Sequence, residues 1–142
     1  MPVILDTNIV SLLREHDSPM SARIVHRMKR VPAPDIWTSV VSYQEQLKGW
    51  LAAINRPHND QHLLRAYEAL QNTLITFSRF PVMPFDESAL KIFRDLKSQQ
   101  LGVGTHDLRI AAIALARGAK VITQNLKDFE KVPGLSVEDW TV

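Results

Sequence analysis

The sequence predicts a three-layer α/β/α sandwich around a mostly parallel central sheet of four or five strands, with a helical hairpin inserted. Three observations predict it. Short β-branched runs (Val3-Ile4-Leu5, Ile36 to Val40, Val121-Ile122-Thr123) alternate with longer stretches of helical periodicity. Parallel neighbours require helical crossovers, and those stretches are long enough to supply them. One stretch, residues 108–115, is apolar nearly all round and rich in Ala, so it belongs between other layers.

The elements follow in order. Val3-Ile4-Leu5 forms a short buried strand. Asp6-Thr7-Asn8 leads into a helix from Ile9 to about Glu15, with Thr7 or Asn8 as its cap and Asp6 left free at the strand end. His16-Asp17-Ser18-Pro19 breaks that helix. Met20 to Arg30 forms a second helix with Ile24, Val25, Met28 and Val31 inward. Its other side carries Arg23, His26, Arg27 and Arg30. Pro32-Ala33-Pro34 is a stiff connector.

After the strand Ile36 to Val40, Ser42 and Glu45 have the spacing of a capping box, which places Glu45 in the first turn of a helix. That helix carries Leu47, Trp50, Leu51 and Ile54. A turn at residues 56–60 leads to a long helix from about Gln61 to Phe77, with Leu63, Leu64, Tyr67, Leu70 and Leu74 spaced for burial. The two form the hairpin, and Trp50 and Tyr67 are assigned to core or dimer packing.

Phe80 to Pro84 reads as an edge strand with Pro at both flanks. Asp86 caps a helix (Ala89, Leu90, Phe93, Leu96) running to about Gln100. Thr105 caps the Ala-rich helix, and Gly118 ends it. Lys120 to Thr123 is the clearest internal strand. Gln124 to Phe129 is a loop or short turn, and Ser136-Val137-Glu138 a final edge strand, which Trp140 packs onto the sheet.

The bulk composition excludes several classes. At 142 residues the chain suits one domain spanning 1–142. It has no Cys, so disulfides, zinc–thiolate sites and thiol nucleophiles are absent, and a cytoplasmic location is favoured. No secretory signal or membrane span is visible. The net charge of +2 is too small to argue by itself for nucleic acid.

Four acids stand where a parallel sheet can gather them. Asp6 ends the first strand, Glu45 and Asp107 lie at helix starts, and Asp128 follows the strand ending at Thr123. Parallel strands bring such junctions to one edge. Each acid also has an ordinary explanation as a cap, a helix-dipole partner or a solvated loop residue. Four together repel unless a cation offsets them. Hard oxygen ligands without thiolates select Mg²⁺ or Mn²⁺. Thr7, Asn8, Thr105, Thr123 and Asn125 crowd the same junctions and are positioned to orient the carboxylates. A divalent cation lowers the pKa of water and neutralises developing charge, which suits phosphodiester hydrolysis and needs no side-chain nucleophile.

These residues, with Leu5-Asp6-Thr7-Asn8, Gly104-Thr105-His106-Asp107-Leu108, Val121-Ile122-Thr123-x-Asn125-x-x-Asp128-Phe129 and the tail Val132-Pro133-Gly134-Leu135-x-Val137-Glu138-Asp139-Trp140, resemble PIN-domain ribonucleases. The tail is similar to that of bacterial VapC-type toxins. The resemblance spans the whole chain. It implies a PIN-like fold and a Mg²⁺- or Mn²⁺-dependent endoribonuclease acting as a toxin, inhibited by a small antitoxin and forming a homodimer. It further implies that Asp6, Glu45 and Asp107 are the metal-binding acids and Asp128 the fourth, more variable one. Arg23, Arg27, Arg30, His106 and Arg109 are candidate RNA contacts, His106 alternatively modulating a neighbouring carboxylate; each also has an ordinary explanation as a solvated or packed helix residue.

Other chemistries fit less well. A haloacid-dehalogenase-type phosphatase needs an Asp two residues after its nucleophile, where this chain has Asn8. A response-regulator receiver needs an acidic pair after the first strand, and none is present. A catalytically silent interaction module of the PIN type stays open, although all four acids argue against it.

Overall fold

The computed structural model describes residues 1–14 and 18–142. The expected end of the first helix at Glu15, and the breaker residues His16 and Asp17, lie outside the described residues. Strands β1 (Val3–Leu5), β2 (Ile36–Ser39), β3 (Val82–Met83), β4 (Lys120–Ile122) and β5 (Val137–Glu138) form one sheet in the order β3-β2-β1-β4-β5. Every pairing is parallel. The sheet therefore has five strands and is wholly rather than mostly parallel. The central strand β1 pairs Val3 with Ile36 on one side and Leu5 with Ile122 on the other.

Alternation along the strands splits the core in two. Ile4 and Val121 face one side, with Phe93, Leu96, Leu108, Ala111 to Ala114 and Phe129. These come from helices α5 (Glu87–Ser98), α6 (Thr105–Arg117) and α7 (Leu126–Phe129). Val3, Leu5 and Ile122 face the other side, with Ile9, Val10, Ile24, Phe77 and Trp140. That layer is built from α1 (Thr7–Leu13), α2 (Pro19–Met28) and the end of α4 (Asp60–Ser78). Helix α3 (Val40–Asn55) packs along α4 as the expected hairpin. The three layers of the sandwich are present as expected. Ala at 111, 112 and 114 lets α6 lie close against both sheet and α5, because small side chains shorten the approach. Gly118 ends α6 at φ 62°, a left-handed position that glycine takes without strain.

Several local expectations change. The first helix begins at Thr7, and Asp6 itself is its N-cap. Ser39, not Ser42, caps α3: its Oγ accepts the Ser42 N–H at 3.1 Å. Helix α3 therefore starts at Val40, the expected last residue of the strand, and Glu45 sits in its second turn with no capping box. The cap of α6 is Gly104, without a side-chain bond, because Thr105 is already helical. Ala33–Asp35 makes a 3-10 turn inside the proline connector, and residues 126–129 form a short helix rather than a loop.

The largest departure is the inward face of α4. Ala66, Thr73 and Phe77 are buried, whereas Leu64, Tyr67 and Leu74 are 64%, 55% and 61% exposed. Leu51, Val25 and Leu90 are also exposed on their own helices. Hydrophobic spacing named a possible stripe, but only α3 covers α4 along most of its length, and it selects the narrower Ala66–Thr73–Phe77 line. A Leu74→Ala substitution is accordingly expected to change the unfolding free energy by less than about 0.5 kcal/mol. Phe77→Ala is expected to cost about 3–5 kcal/mol by leaving a cavity. Urea denaturation of the two variants measures the contrast.

Candidate active site

The acidic centre is built at the carboxyl ends of β1 and β4. The Asp6 N–H donates to the Ile122 carbonyl at 2.9 Å, which prolongs the parallel pairing by one residue and sets Asp6 beside Thr123. Asp6 is 5% exposed. One carboxylate oxygen accepts the Thr7 N–H at 2.8 Å. The other accepts the Thr123 hydroxyl at 2.7 Å and the Asn8 amide at 3.4 Å. Capping therefore engages the Asp6 side chain instead of leaving it free: one oxygen is fixed by the Thr7 N–H, and the second, at the strand end, by Thr123 and Asn8.

Glu45 reaches the centre from α3. Its two oxygens are engaged separately, by the Thr7 hydroxyl at 2.7 Å and by His106 Nδ1 at 2.8 Å. Asp107, on the first turn of α6, is half-buried and accepts the Asn125 amide at 3.2 Å. The same Asn125 nitrogen donates to Asp128 at 2.9 Å, so one amide joins two carboxylates. Lys131 stands 3.5 Å from the other Asp128 oxygen.

Electrostatics separates the four. Burial pushes the Asp6 carboxyl up to about 6, with the charges of Asp107 and Glu45 adding to the rise and the Thr123 and Thr7 bonds opposing it. Burial also raises Asp107, reinforced by the Glu45 and Asp128 charges. Asp128 is held below the ordinary carboxylate range, first by its Asn125 bond and then by Lys131. Burial thus disfavours the charged forms of Asp6 and Asp107, with neighbouring carboxylates adding to the effect, while Asp128 is already partnered.

Of the residues singled out from the sequence, Asp6, Glu45, Asp107, Asp128, Thr7, Asn8, Thr123, Asn125 and His106 converge here. Thr105 is exposed and makes no hydrogen bond to these acids among the described residues. Arg109 lies against Phe93, its guanidinium 5.4 Å from the ring centroid, and so faces α5. Arg23 and Arg27 hold the C-terminal segment, donating to the Thr141 carbonyl at 2.9 Å and to Glu138 at 2.6 Å. Arg30 sits beside His26. A polar cluster missed in the sequence reading flanks the centre: Ser11, Arg14, Gln46, Trp50 and Thr73 are linked across α1, α3 and α4. Gln46 directly after Glu45 was the available signal.

Chemically, the donor set is hard oxygen throughout. Among the described residues no three acids or imidazoles close on one point as a direct ligand set. Hard oxygen donors of this kind suit a divalent cation.

A five-stranded parallel sheet with four carboxylates gathered near the ends of its central strands defines an α/β protein with an acidic centre. Residues 3–135 match the PIN domain, and the chain belongs to that family. It is 30% identical over 144 residues to Ribonuclease VapC1 of Haemophilus influenzae strain R2866, covering 99% of both chains. Over 67 residues it is 39% identical to the tRNA(fMet)-specific endonuclease VapC of Salmonella typhimurium, covering 44% of this chain and 51% of that one. The structure of VapBC-1 from nontypeable Haemophilus influenzae superposes with a TM-score of 0.77, at 26% identity and over 100% of both chains.

The raised Asp6 carboxyl has a sign that can be measured. Between the ordinary aspartate value and about 6, the folded chain binds a proton that the unfolded chain has lost, so Asp6 makes stability fall as pH rises through that window. Asp6→Asn is expected to remove this fall and to raise stability at pH 7.5 by about 1–3 kcal/mol. Thermal unfolding of both proteins from pH 4 to pH 8, without added metal, tests it.

Proposed function

We propose that this chain is a divalent-metal-dependent endoribonuclease that acts as the toxin of a toxin–antitoxin pair. The observation that carries the reading is the acidic centre: buried Asp6 and half-buried Asp107, both with raised pKa values, stand with Glu45 and Asp128 on a PIN fold. The relatives named ribonuclease and endonuclease support RNA as the substrate. The similarity to VapBC structures supports a small antitoxin as partner.

In this reading Asp6 and Asp107 hold Mg²⁺ or Mn²⁺, with Glu45 and Asp128 completing the site. The ion supplies an acidified water and offsets charge developing on the phosphate. Thr123 and the Thr7 N–H fix Asp6. Thr7 and His106 fix Glu45 from opposite sides. Asn125 keeps Asp107 and Asp128 at a set separation. These neutral or shared donors orient the carboxylates without cancelling their charge.

The antitoxin has an apolar groove available to it. A cavity of about 700 Å³ between α2 and α4 is lined by Val25, Met28, Ile75 and Phe80, with Arg14, Lys29 and Arg79 among the other lining residues. It suits an amphipathic acidic segment. The exposed Leu64, Tyr67 and Leu74 stripe is the face assigned to a second copy in a homodimer. No helix among the described residues is long and apolar enough to cross a membrane, and a cytoplasmic location belongs to the same reading.

Cleavage of RNA by the purified chain is expected to vanish in EDTA and to return with Mg²⁺ or Mn²⁺; persistence in chelator overturns metal dependence. Asp128→Ala is expected to lose on the order of 10–100-fold in rate, the scale of a group that positions metal ligands. Asp6→Asn and Asp107→Asn are expected to lose more than that. Wild-type rates in either overturn the site assignment.

A further inference from the structure

Beside the acidic centre a second feature is built into α1 and α3. A recess of about 370 Å³ is lined by Thr7, Arg14, Glu45, Gln46, Gly49 and Trp50. That volume lies within the roughly 300–1,000 Å³ range of small-ligand sites. Arg14 is held in place by neutral groups. It donates to Gln46 Oε1 and, at 3.4 Å, to Thr73 Oγ1, and its guanidinium lies 6.0 Å from the Trp50 ring centroid. Those partners are fixed in turn: Gln46 donates to Ser11 at 2.8 Å, and the Trp50 indole N–H donates to Thr73 at 2.9 Å. Among the described residues, two of the five guanidinium N–H groups are used in these bonds.

Gly49 is the second, independent observation. It stands inside the long helix α3, where glycine weakens a helix relative to alanine. A Cβ built there meets nothing within 4 Å. No neighbour requires the glycine; a methyl group fits there, and only a longer side chain at this position would fill the recess next to Glu45.

Resting on the ribonuclease reading, we infer that this recess is a phosphate subsite, in which Arg14 takes the RNA backbone phosphate next to the one being cleaved. An acidic centre repels the polyanion that it must cleave. A guanidinium locked beside it attracts the strand without entering the carboxylate cluster, and its planar fork matches two phosphate oxygens. Gln46, Thr73 and Trp50 are positioning residues that aim Arg14, and the adjoining Glu45 sets the register between bound and cleaved phosphates.

The test uses an RNA oligonucleotide cleaved at one bond, with each flanking phosphate replaced singly by a neutral methylphosphonate. For the wild-type protein with Mg²⁺ or Mn²⁺, one flanking replacement is expected to raise KM by about 10–100-fold with little change in kcat, the scale of a hydrogen bond to a charged group. Arg14→Gln is expected to raise KM to the same extent on the unmodified strand and to be insensitive to that replacement. Arg14→Lys is expected to fall between them. Gly49→Leu, which leaves the Arg14 bonds intact and fills the recess, is expected to raise KM likewise, with Gly49→Ala close to wild type. A wild-type KM in Arg14→Gln, or an undiminished methylphosphonate effect in it, overturns the subsite. Should Arg14→Gln fail to fold, the wild-type scan and Gly49→Leu decide: no sensitive flanking position, or an unchanged KM, overturns it. Loss of antitoxin binding with unchanged RNA kinetics also overturns it, assigning Arg14 to the protein groove. A wild-type protein that cleaves no RNA with either metal overturns the ribonuclease reading itself, whereas cleavage with no sensitive flanking phosphate overturns the subsite alone.

Discussion

The burial of Asp6 is the constraint on which the site depends. A carboxylate removed from water must find donors, and this one takes a backbone N–H from Thr7, a hydroxyl from Thr123 and an amide from Asn8. Two of those donors are available only because β1 ends where it does, and the third only because β4 pairs with it in the observed register. A slip of one residue between the strands would exchange the sheet faces and take Thr123 away from Asp6. The register of the sheet and the geometry of the centre are therefore one specification. The three donors do not cancel the effect of burial, so the charged form of Asp6 keeps a desolvation cost, to which the Asp107 and Glu45 charges add.

The other acids follow the same logic with decreasing burial. Glu45 is held from two sides by Thr7 and His106, which makes α3 and α6 part of a single frame around α1. Asp107 and Asp128 share Asn125, so neither acid can move without disturbing the other's partner. Orientation is thus supplied largely by hydroxyl, amide and imidazole groups, with the Lys131 ammonium at the outer edge. An arrangement that paired every acid with Lys or Arg would fold more easily and attract a metal less.

The layers, the parallel sheet and the convergence of the acids were legible because they follow from periodicity and from where strands end. The Ala-rich segment could only be central, and an Asp at the end of a β-branched run points to a sheet edge. Caps were less legible. Ser39 and Ser42 are both competent, and Asp6, Thr7 and Asn8 all are; tertiary pairing chose among them. The inward stripe of α4 was misjudged for a related reason. Leu64, Tyr67 and Leu74 have the right spacing, but burial requires something to lie on them, and α3 lies on Ala66 and Thr73 instead. The Arg14 cluster could not be read because its five members are separated by up to 62 residues and carry no common motif.

The pairing of β1 with β4 has a consequence for synthesis. Asp6 and Thr123 are 117 residues apart, so the first strand must wait for nearly the whole chain before its central neighbour exists. Closing so long a separation is slow relative to forming the local helices and the α3–α4 hairpin. On a ribosome the four acids therefore emerge one at a time, and the last of them arrives only after the other layers have begun to collect. The chain cannot assemble its acidic centre early, and a truncated product lacking β4 has no means of assembling it at all.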